Sequence, residues 1–265
     1  MTLEEMKQRK GAVRLADIPQ EILDELNRGT IPTVNLVEWL GMDQRTLATL
    51  TLPEGYKQVA LQAIDTLKTE TALNCIKVIG AAIYKESIAR NDQEIRPFLA
   101  SHTSDMLRCW AAIFVGEQQQ GIVQQLSDIL PFATDEHFGV REISWIAIRD
   151  QLMEEIEDAL PVFKTWVGSD DPYQRRFVTE SIRPKGVWCR QFKLVQEQPE
   201  LALPFLDALQ NDPHKYVQDS VANWLNDASK SQPHFVQDIC KQWKANNPDS
   251  KATAYIIKRA LRSLK

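Results

Sequence analysis

The stretch NDPHKYVQDSVANWL, residues 211–225, joins a turn sequence to a helix with one apolar face. Its Asp-Pro pair is typical of a helix start, and apolar residues then recur every three or four positions. Similar stretches begin at residues 135, 170 and 248: DEHFGVREISWIAIRDQL, DDPYQRRFVTESI and PDSKATAYIIKRAL. The turn aspartates Asp135, Asp171, Asp212 and Asp249 are 36, 41 and 37 residues apart, close to the length of two antiparallel helices with two short turns. The repeat predicts a helical solenoid.

The rest of the chain also favours helices, because no segment shows sustained two-residue alternation or an Asn-Gly or Asp-Gly hairpin turn. We therefore predict an all-α fold, a right-handed superhelical solenoid of HEAT-like helical repeats with a concave face. Residues 1–93 are expected to form an N-terminal helical cap region, and residues 94–265 the repeats, together a single solenoid domain. In the cap, one helix is predicted to begin at Pro19 and stop at Gly29, and a second to run on from Thr33.

Composition narrows the class of protein. With 265 residues, 43% of them apolar, and 10 glycines, the chain is expected to be compact and ordered. The four cysteines form no C-x-x-C pair and the four histidines are isolated, so we expect no metal site. The charged residues 1–10 and the lack of an apolar run of about 20 residues predict a cytoplasmic protein with no membrane association. We expect it to be a monomer.

Charge is unevenly distributed along the chain. The net charge of −5 is unlike that of a typical nucleic-acid-binding protein. Residues 173–196, however, contain six cations against the single acid Glu180, and residues 251–265 contain five cations and no acid. Two basic stripes on an acidic protein can still form one anion-binding groove.

Three helices are predicted to present a polar or charged face, one of them through Arg176, Glu180 and Arg183 at positions i, i+4 and i+7. In the helix near residue 138, Glu142, Trp145 and Arg149 share a face. In the helix near residue 213, Asp219, Asn223, Asp227 and Lys230 follow helical spacing about half a turn from the core positions. Because equivalent positions of successive repeats are stacked side by side, these faces are expected to converge on one groove.

Several segments resemble a known family. EIRPFL from residue 94, RRFVTESIRPKGVW from 175, YVQDSVANWLNDASKSQP from 216 and KRALRSL from 258 resemble the HEAT-like DNA alkylation repair enzymes, the AlkC/AlkD-type glycosylases, and the AlkC branch most. The resemblance implies an enzyme that releases cationic N3- or N7-alkylated purines from double-stranded DNA. It also implies hydrolysis without a metal ion or an organic cofactor.

The resemblance also implies site residues. Asp227 lies where the AlkC branch has its catalytic aspartate, and Trp188 where that branch has an active-site tryptophan. Glu142 is the nearest candidate for a second carboxylate, and Trp145 would pack with Trp188 against the damaged nucleotide. The Trp-Trp-Asp cluster of the AlkD branch is absent. The candidate phosphate contacts are Arg141, Arg149, Arg176, Arg183, Lys185, Lys230, Arg259 and Arg262.

Simpler interpretations remain open for the same residues. Asp227 could be an exposed helix acid and the tryptophans could belong to the core. Arg183 could pair with Glu180 or with an acid of a neighbouring repeat, and Arg259 and Arg262 could cap the solenoid. The alternative function is a non-catalytic HEAT-repeat scaffold that binds branched DNA or protein. The glycosylase hypothesis requires Asp227, Trp188 and the face of Glu142 and Trp145 to open into one cleft.

Overall fold

The computed structural model describes residues 2–186 and 188–264, and within these ranges it contains helices and no strand. The predicted all-α class is therefore confirmed. Three short 3₁₀ helices lie at residues 15–17, 199–202 and 261–263. The α-helices are Leu3–Lys7 (α1), Gln20–Asn27 (α2), Leu36–Gly41 (α3), Gln44–Thr51 (α4), Glu54–Asp65 (α5), Ala72–Arg90 (α6), Ile95–Ala100 (α7), Asp105–Glu117 (α8), Ile122–Ala133 (α9), Phe138–Ala147 (α10), Arg149–Glu154 (α11), Ile156–Trp166 (α12), Pro172–Ser181 (α13), Lys193–Glu197 (α14), Leu203–Leu209 (α15), Lys215–Ala228 (α16), Pro233–Asn246 (α17) and Lys251–Ala260 (α18).

The chain divides into two compact units. The first comprises residues 1–119 and 135–147, and the second comprises residues 120–134 and 148–265. The boundary predicted between residues 93 and 94 falls inside the first unit, and it stays a prediction. Within residues 2–186 and 188–264, no helix has both the length and the apolar composition that a bilayer crossing requires.

In the first unit, helices α5, α6, α8 and α10 pack in sequence against one another. A buried polar cluster ties the segment before α3 to this core. The carboxylate of Asp105, fully buried, accepts hydrogen bonds from the backbone N–H and the hydroxyl of Thr33 at 2.8 and 2.9 Å, and His137 Nε2 lies 2.9 Å from the Thr33 carbonyl oxygen. Because each buried polar group has a partner, the cluster fixes residue 33 without an uncompensated desolvation cost.

The repeated turns carry a recurring arginine. Arg108, Arg141 and Arg175 each donate Nη1 hydrogen bonds to the carbonyl oxygens six and five residues earlier, in the turn before their own helix. Arg108 also binds the turn carboxylate of Asp135, and Arg175 binds that of Asp212 at 2.6 and 3.0 Å. Two of the four aspartates that mark the sequence repeat, Asp135 and Asp212, are thus held by arginines that precede them by 27 and 37 residues. Arg141 is predicted to contact phosphate, but its side chain makes the turn hydrogen bonds just described.

Two predicted helices are interrupted. The helix expected to continue from Thr33 is two helices, α3 and α4, because Asn35 caps the first and the Asp43 carboxylate accepts the N–H groups of residues 45 and 46 to start the second. The helix predicted near residue 138, with Glu142 and Arg149 on one face, leaves helical geometry at Ile148, whose ψ is 0°, and restarts as α11. The predicted stop at Gly29 is confirmed, since its φ of +72° is the left-handed conformation that favours glycine.

Candidate active site and nucleic-acid interface

The second unit places α16 between α13 and α18, and the three helices pack side by side. Each begins with a side-chain cap: Asp171 for α13, His214 for α16 and Ser250 for α18. Val217, Val221 and Leu225 of α16 are fully buried, as their spacing predicts. The caps and this apolar face fix the direction in which the polar positions of the three helices point.

Asp227 lies near the end of α16 and is 8% exposed, in contact with two cations. Its Oδ2 accepts hydrogen bonds from Nε and Nη2 of Arg183, at 3.0 and 2.6 Å. Its Oδ1 accepts one from Nζ of Lys230 at 3.2 Å. The open interpretation that Arg183 pairs with an acid of a neighbouring repeat is confirmed, since 44 residues separate Arg183 from Asp227.

Glu180 supports this cluster from within the protein. Its side chain is 3% exposed and accepts hydrogen bonds from Arg183 Nη1 at 3.1 Å and from the Ser220 hydroxyl at 2.8 Å, while Arg176 Nη2 lies 3.4 Å away. Burial opposes ionisation, but Arg176, Arg183 and the Ser220 hydroxyl outweigh it, and the pKa of the Glu180 carboxyl is lowered. Glu180 is therefore a buried carboxylate that orients Arg183.

Because the pKa of Glu180 is lower in the folded protein than in the unfolded chain, ionised Glu180 stabilises the fold above about pH 4.5 and this contribution is lost as the pH falls further. We expect the free energy of unfolding to decrease more steeply between about pH 5 and pH 3 in the wild type than in Glu180→Gln. At neutral pH the variant should be about 3 kcal/mol less stable, because two buried guanidinium groups lose a carboxylate. Urea unfolding monitored by circular dichroism at several pH values measures both effects.

The matched control is Glu157→Gln, an exposed carboxylate on α12. It should follow the wild type at every pH within about 0.5 kcal/mol. If the free energy of unfolding of Glu180→Gln fell as steeply between about pH 5 and pH 3 as that of the wild type, the assigned role of Glu180 would be wrong.

Arg149 shapes the loop that follows α13. Its guanidinium is 1% exposed and donates hydrogen bonds to three carbonyl oxygens, those of Ser181, Arg183 and Arg190, at 2.6, 2.6 and 3.1 Å. It also lies 5.6 Å from the centre of the Phe192 ring. Desolvation lowers the pKa of Arg149, but the guanidinium remains charged. Arg149 thus closes the base of the loop, and its buried side chain is not accessible as the phosphate contact that the sequence predicts.

The same loop carries Trp188 and Lys185 outward. Trp188 is 52% exposed and has a φ of +63°, a left-handed conformation rare for a residue with a Cβ. Lys185 is exposed, and a backbone hydrogen bond from Phe192 N–H to the Pro184 carbonyl closes the loop at 3.0 Å. An indole and an ammonium group are therefore presented together to solvent. Val187, between them, lies outside the described residues.

Helices α16 and α18 share a second group of charged side chains. Asp219 accepts a hydrogen bond from the Tyr255 hydroxyl and contacts Arg259 at 3.4 Å, while Lys215 Nζ lies 3.4 Å above the Tyr255 ring. Arg262 donates a hydrogen bond to Asn223 Oδ1 at 3.0 Å. Lys215 and Arg259 thus flank the Asp219 carboxylate, and Arg262 adds a third cation just beyond α18.

The predicted phosphate contacts therefore fall into two groups. Lys185, Lys230, Arg259 and Arg262 are exposed or half-exposed in the second unit. Four arginines have buried or largely buried side chains with protein partners: Arg141, Arg149, Arg176 and Arg183. Arg176 lies 4.1 Å over the Tyr216 ring, beside Glu180. Only the first group is accessible to a phosphate in this conformation.

Glu142 and Trp145 lie in the first unit, on α10. Trp145 is 2% exposed and its indole N–H donates a hydrogen bond to Glu142 Oε2 at 3.0 Å. The indole is therefore a core side chain in this conformation. Convergence of these two residues with Asp227 and Trp188 stays a prediction.

Neither Glu180 nor Ser220 is among the site residues that the sequence predicts. The available signal was the spacing of Arg176, Glu180 and Arg183, which places one acid between two cations on one helix face. The described residues contain no group of three or more His, Cys, Asp or Glu side chains that could hold a metal ion.

A family model described as DNA alkylation repair enzyme matches residues 125–264, which include the whole Asp227 cluster and the Trp188 loop. The chain belongs to this family. One relative is the Bacillus subtilis (strain 168) protein named "Uncharacterized protein YhaZ". It is 33% identical to this chain over 129 residues. The match covers 49% of this chain and 35% of that protein.

Solved structures of the DNA alkylation repair family share the fold. Pseudomonas fluorescens alkylpurine DNA glycosylase AlkC, bound to DNA containing an abasic site analog, is 23% identical with a TM-score of 0.66, covering 96% of this chain and 65% of AlkC. AlkD2 from Streptococcus mutans is 23% identical with a TM-score of 0.56, covering 78% of this chain and 98% of AlkD2. The predicted resemblance to AlkC and AlkD is confirmed at the level of fold. The chain spans less than two thirds of the length of YhaZ and of AlkC.

Proposed function

We propose that the protein is a DNA glycosylase that hydrolyses the N-glycosidic bond of cationic N3- or N7-alkylated purines in double-stranded DNA. The observation that supports this most is the Asp227 carboxylate, held by Arg183 in the same unit as an exposed Trp188 and four accessible cations. Family membership and the DNA-bound AlkC structure support the same class of substrate.

The chemistry suits these residues. An alkylated purine with a positive charge leaves as a neutral base when the bond from C1′ to its nitrogen breaks and the electron pair goes to the base. The positive charge then develops on the sugar, where a nearby carboxylate stabilises it. Water adds to C1′ and loses a proton, for which Asp227 is the candidate acceptor. No general acid is needed for the leaving group.

Trp188 and the accessible cations would hold the DNA. An exposed indole can stack on a nucleobase or face a cationic lesion. Lys185, Lys230, Arg259 and Arg262 would contact phosphates, which position the duplex without reading its sequence. The roles of Glu142 and Trp145, the monomeric state and the cytoplasmic location stay predictions.

Release of free base tests the proposal directly. Duplex DNA treated with a methylating agent is incubated with the protein, and free 3-methyladenine and 7-methylguanine are quantified by mass spectrometry. We expect release well above spontaneous depurination measured without protein. Release no faster than this background, from duplexes that the protein binds, would favour a non-catalytic scaffold.

Salt dependence tests the DNA interface separately. Four phosphate contacts predict a slope of about −3.5 in a plot of log binding constant against log salt concentration, or about 100-fold weaker binding at 200 mM than at 50 mM salt. Fluorescence anisotropy with a labelled duplex measures this slope. Arg259→Gln should reduce its magnitude by about 1, whereas Lys244→Gln, on α17, should leave it unchanged. A slope near zero in the wild type would contradict the interface.

The second candidate function is a scaffold that binds branched DNA or protein. One observation favours it: Asp227 is 8% exposed and both of its oxygens are paired with cations. A carboxylate neutralised in this way could serve structure alone. The base-release assay separates the two functions.

A further inference from the structure

The two oxygens of Asp227 are held by cations of different solvent exposure. Oδ2 accepts two hydrogen bonds from Arg183, whose side chain is 13% exposed. Oδ1 has one hydrogen-bond partner among the described residues, the Nζ of Lys230, whose side chain is 50% exposed. Oδ2 is therefore on the internal side of the carboxylate, beside buried Arg183, and Oδ1 is on the external side, beside exposed Lys230.

Arg183 is fixed on the internal side. Its Nη1 donates to Glu180, and Glu180 is held in turn by the Ser220 hydroxyl. The Arg183 charge is thus shared between two carboxylates, so Asp227 keeps part of its negative charge. A planar guanidinium with donors to both acids can hold Asp227 in one orientation, which an ammonium group could not do as well.

Lys230 on the external side is easily removed. It follows α16 by two residues and reaches back three positions to Asp227, an exposed pairing of a kind that contributes little to stability. Its flexible stem can carry the ammonium group to another anion within reach. The strongest such anion on a DNA-binding surface is a phosphate.

We infer that Oδ1 is the oxygen that faces the sugar cation, that Arg183 is a positioning residue acting through Oδ2, and that Lys230 covers Oδ1 until a DNA phosphate draws it away. This inference rests on the proposed glycosylase function. While Lys230 is paired with Oδ1, the carboxylate is largely neutralised and stabilises a positive sugar poorly. Transfer of Lys230 to a phosphate restores that negative charge only when DNA is bound.

The test is single-turnover release of 7-methylguanine from a duplex, with the rate measured as a function of protein concentration. Lys230→Met should raise the half-saturating concentration about fivefold and reduce the magnitude of the salt slope by about 1, since one phosphate contact is lost. Its saturated rate should equal the wild-type rate or exceed it by up to about threefold, because Lys230 has already left Oδ1 for a phosphate in the DNA-bound wild type. Arg183→Gln should lower the saturated rate at least about 30-fold, and Arg183→Lys should recover part of it.

The chain provides a matched control in Lys241 and Asp238, which form the same three-residue pairing at 3.3 Å on α17. Lys241→Met should change neither the rate nor the salt slope. A saturated rate that falls in Lys230→Met, or a salt slope that does not change, would overturn the inference while leaving the glycosylase function intact. If circular dichroism shows that Arg183→Gln is folded and the variant retains the wild-type rate, the inference is also overturned and the glycosylase function is not. No release by the wild type would overturn the proposed function and this inference with it.

Discussion

Asp227→Asn is expected to lower the rate of 3-methyladenine and 7-methylguanine release about 100- to 1000-fold, the usual effect of removing a preorganised group that stabilises transition-state charge. Asparagine has almost the same shape as aspartate and can still accept a hydrogen bond from Arg183. It carries no charge to stabilise the positive sugar, however, and it cannot accept a proton from water. DNA binding measured by anisotropy should change much less than the rate.

The control for this variant is Asp238→Asn, an acid on α17 whose side chain is 75% exposed. It should release both bases at the wild-type rate. Thermal unfolding must accompany the assay, because Asp227→Asn leaves the Arg183 and Lys230 charges with one carboxylate fewer. Equal release by the wild type and a folded Asp227→Asn would remove Asp227 from the mechanism.

Arg149→Met is expected to lower the free energy of unfolding by about 3–5 kcal/mol, because three carbonyl oxygens lose their donor at the base of the Trp188 loop. Methionine fills a similar volume, so the effect reports the lost hydrogen bonds more than a cavity. Urea unfolding gives the free energy. Tryptophan fluorescence quenching should also report a more accessible Trp188.

Arg190→Met is the matched control for this second variant. Arg190 is on the same loop, but its side chain is 70% exposed and its pair with Asp150 is equally exposed. Its substitution should change stability by less than about 0.5 kcal/mol. If Arg149→Met were as stable as Arg190→Met, the three backbone hydrogen bonds would not hold the loop.

The repeat structure of the second half could be predicted because its signals are local. The apolar spacing of α16 and the Asp-Pro turns lie within about 15 residues of each other, and α13 and α16 begin just after the predicted turns at Asp171 and Asp212. The interruptions at Asp43 and Ile148 were missed. At Asp43 a side-chain cap in the middle of an apolar pattern competes with helix continuation, and periodicity alone does not reveal which of the two prevails. At Ile148 no side chain caps the helix that follows, and the apolar spacing carries no signal for the break.

The candidate site was less predictable because its pairings are distant in sequence. Spacing could group Arg176, Glu180 and Arg183 on one helix face, but not decide whether Arg183 faces solvent or a carboxylate of the next repeat. The direction of the Arg183 side chain depends on how α13 packs against α16, and Arg183 and Asp227 are 44 residues apart in the sequence. For the same reason Arg149 was expected at a phosphate, although its donors are used by three backbone carbonyls.

The left-handed backbone of Trp188 makes this position sterically unfavourable for every residue that has a Cβ, that is, for every residue except glycine. A Cβ in that conformation costs about 1–2 kcal/mol. The chain has an indole there, half in solvent, where it contributes little burial to offset the cost. A residue that weakens the fold at an exposed loop is a sign of a trade-off between stability and activity, and it marks this loop as a place where the most stable sequence and the working sequence differ.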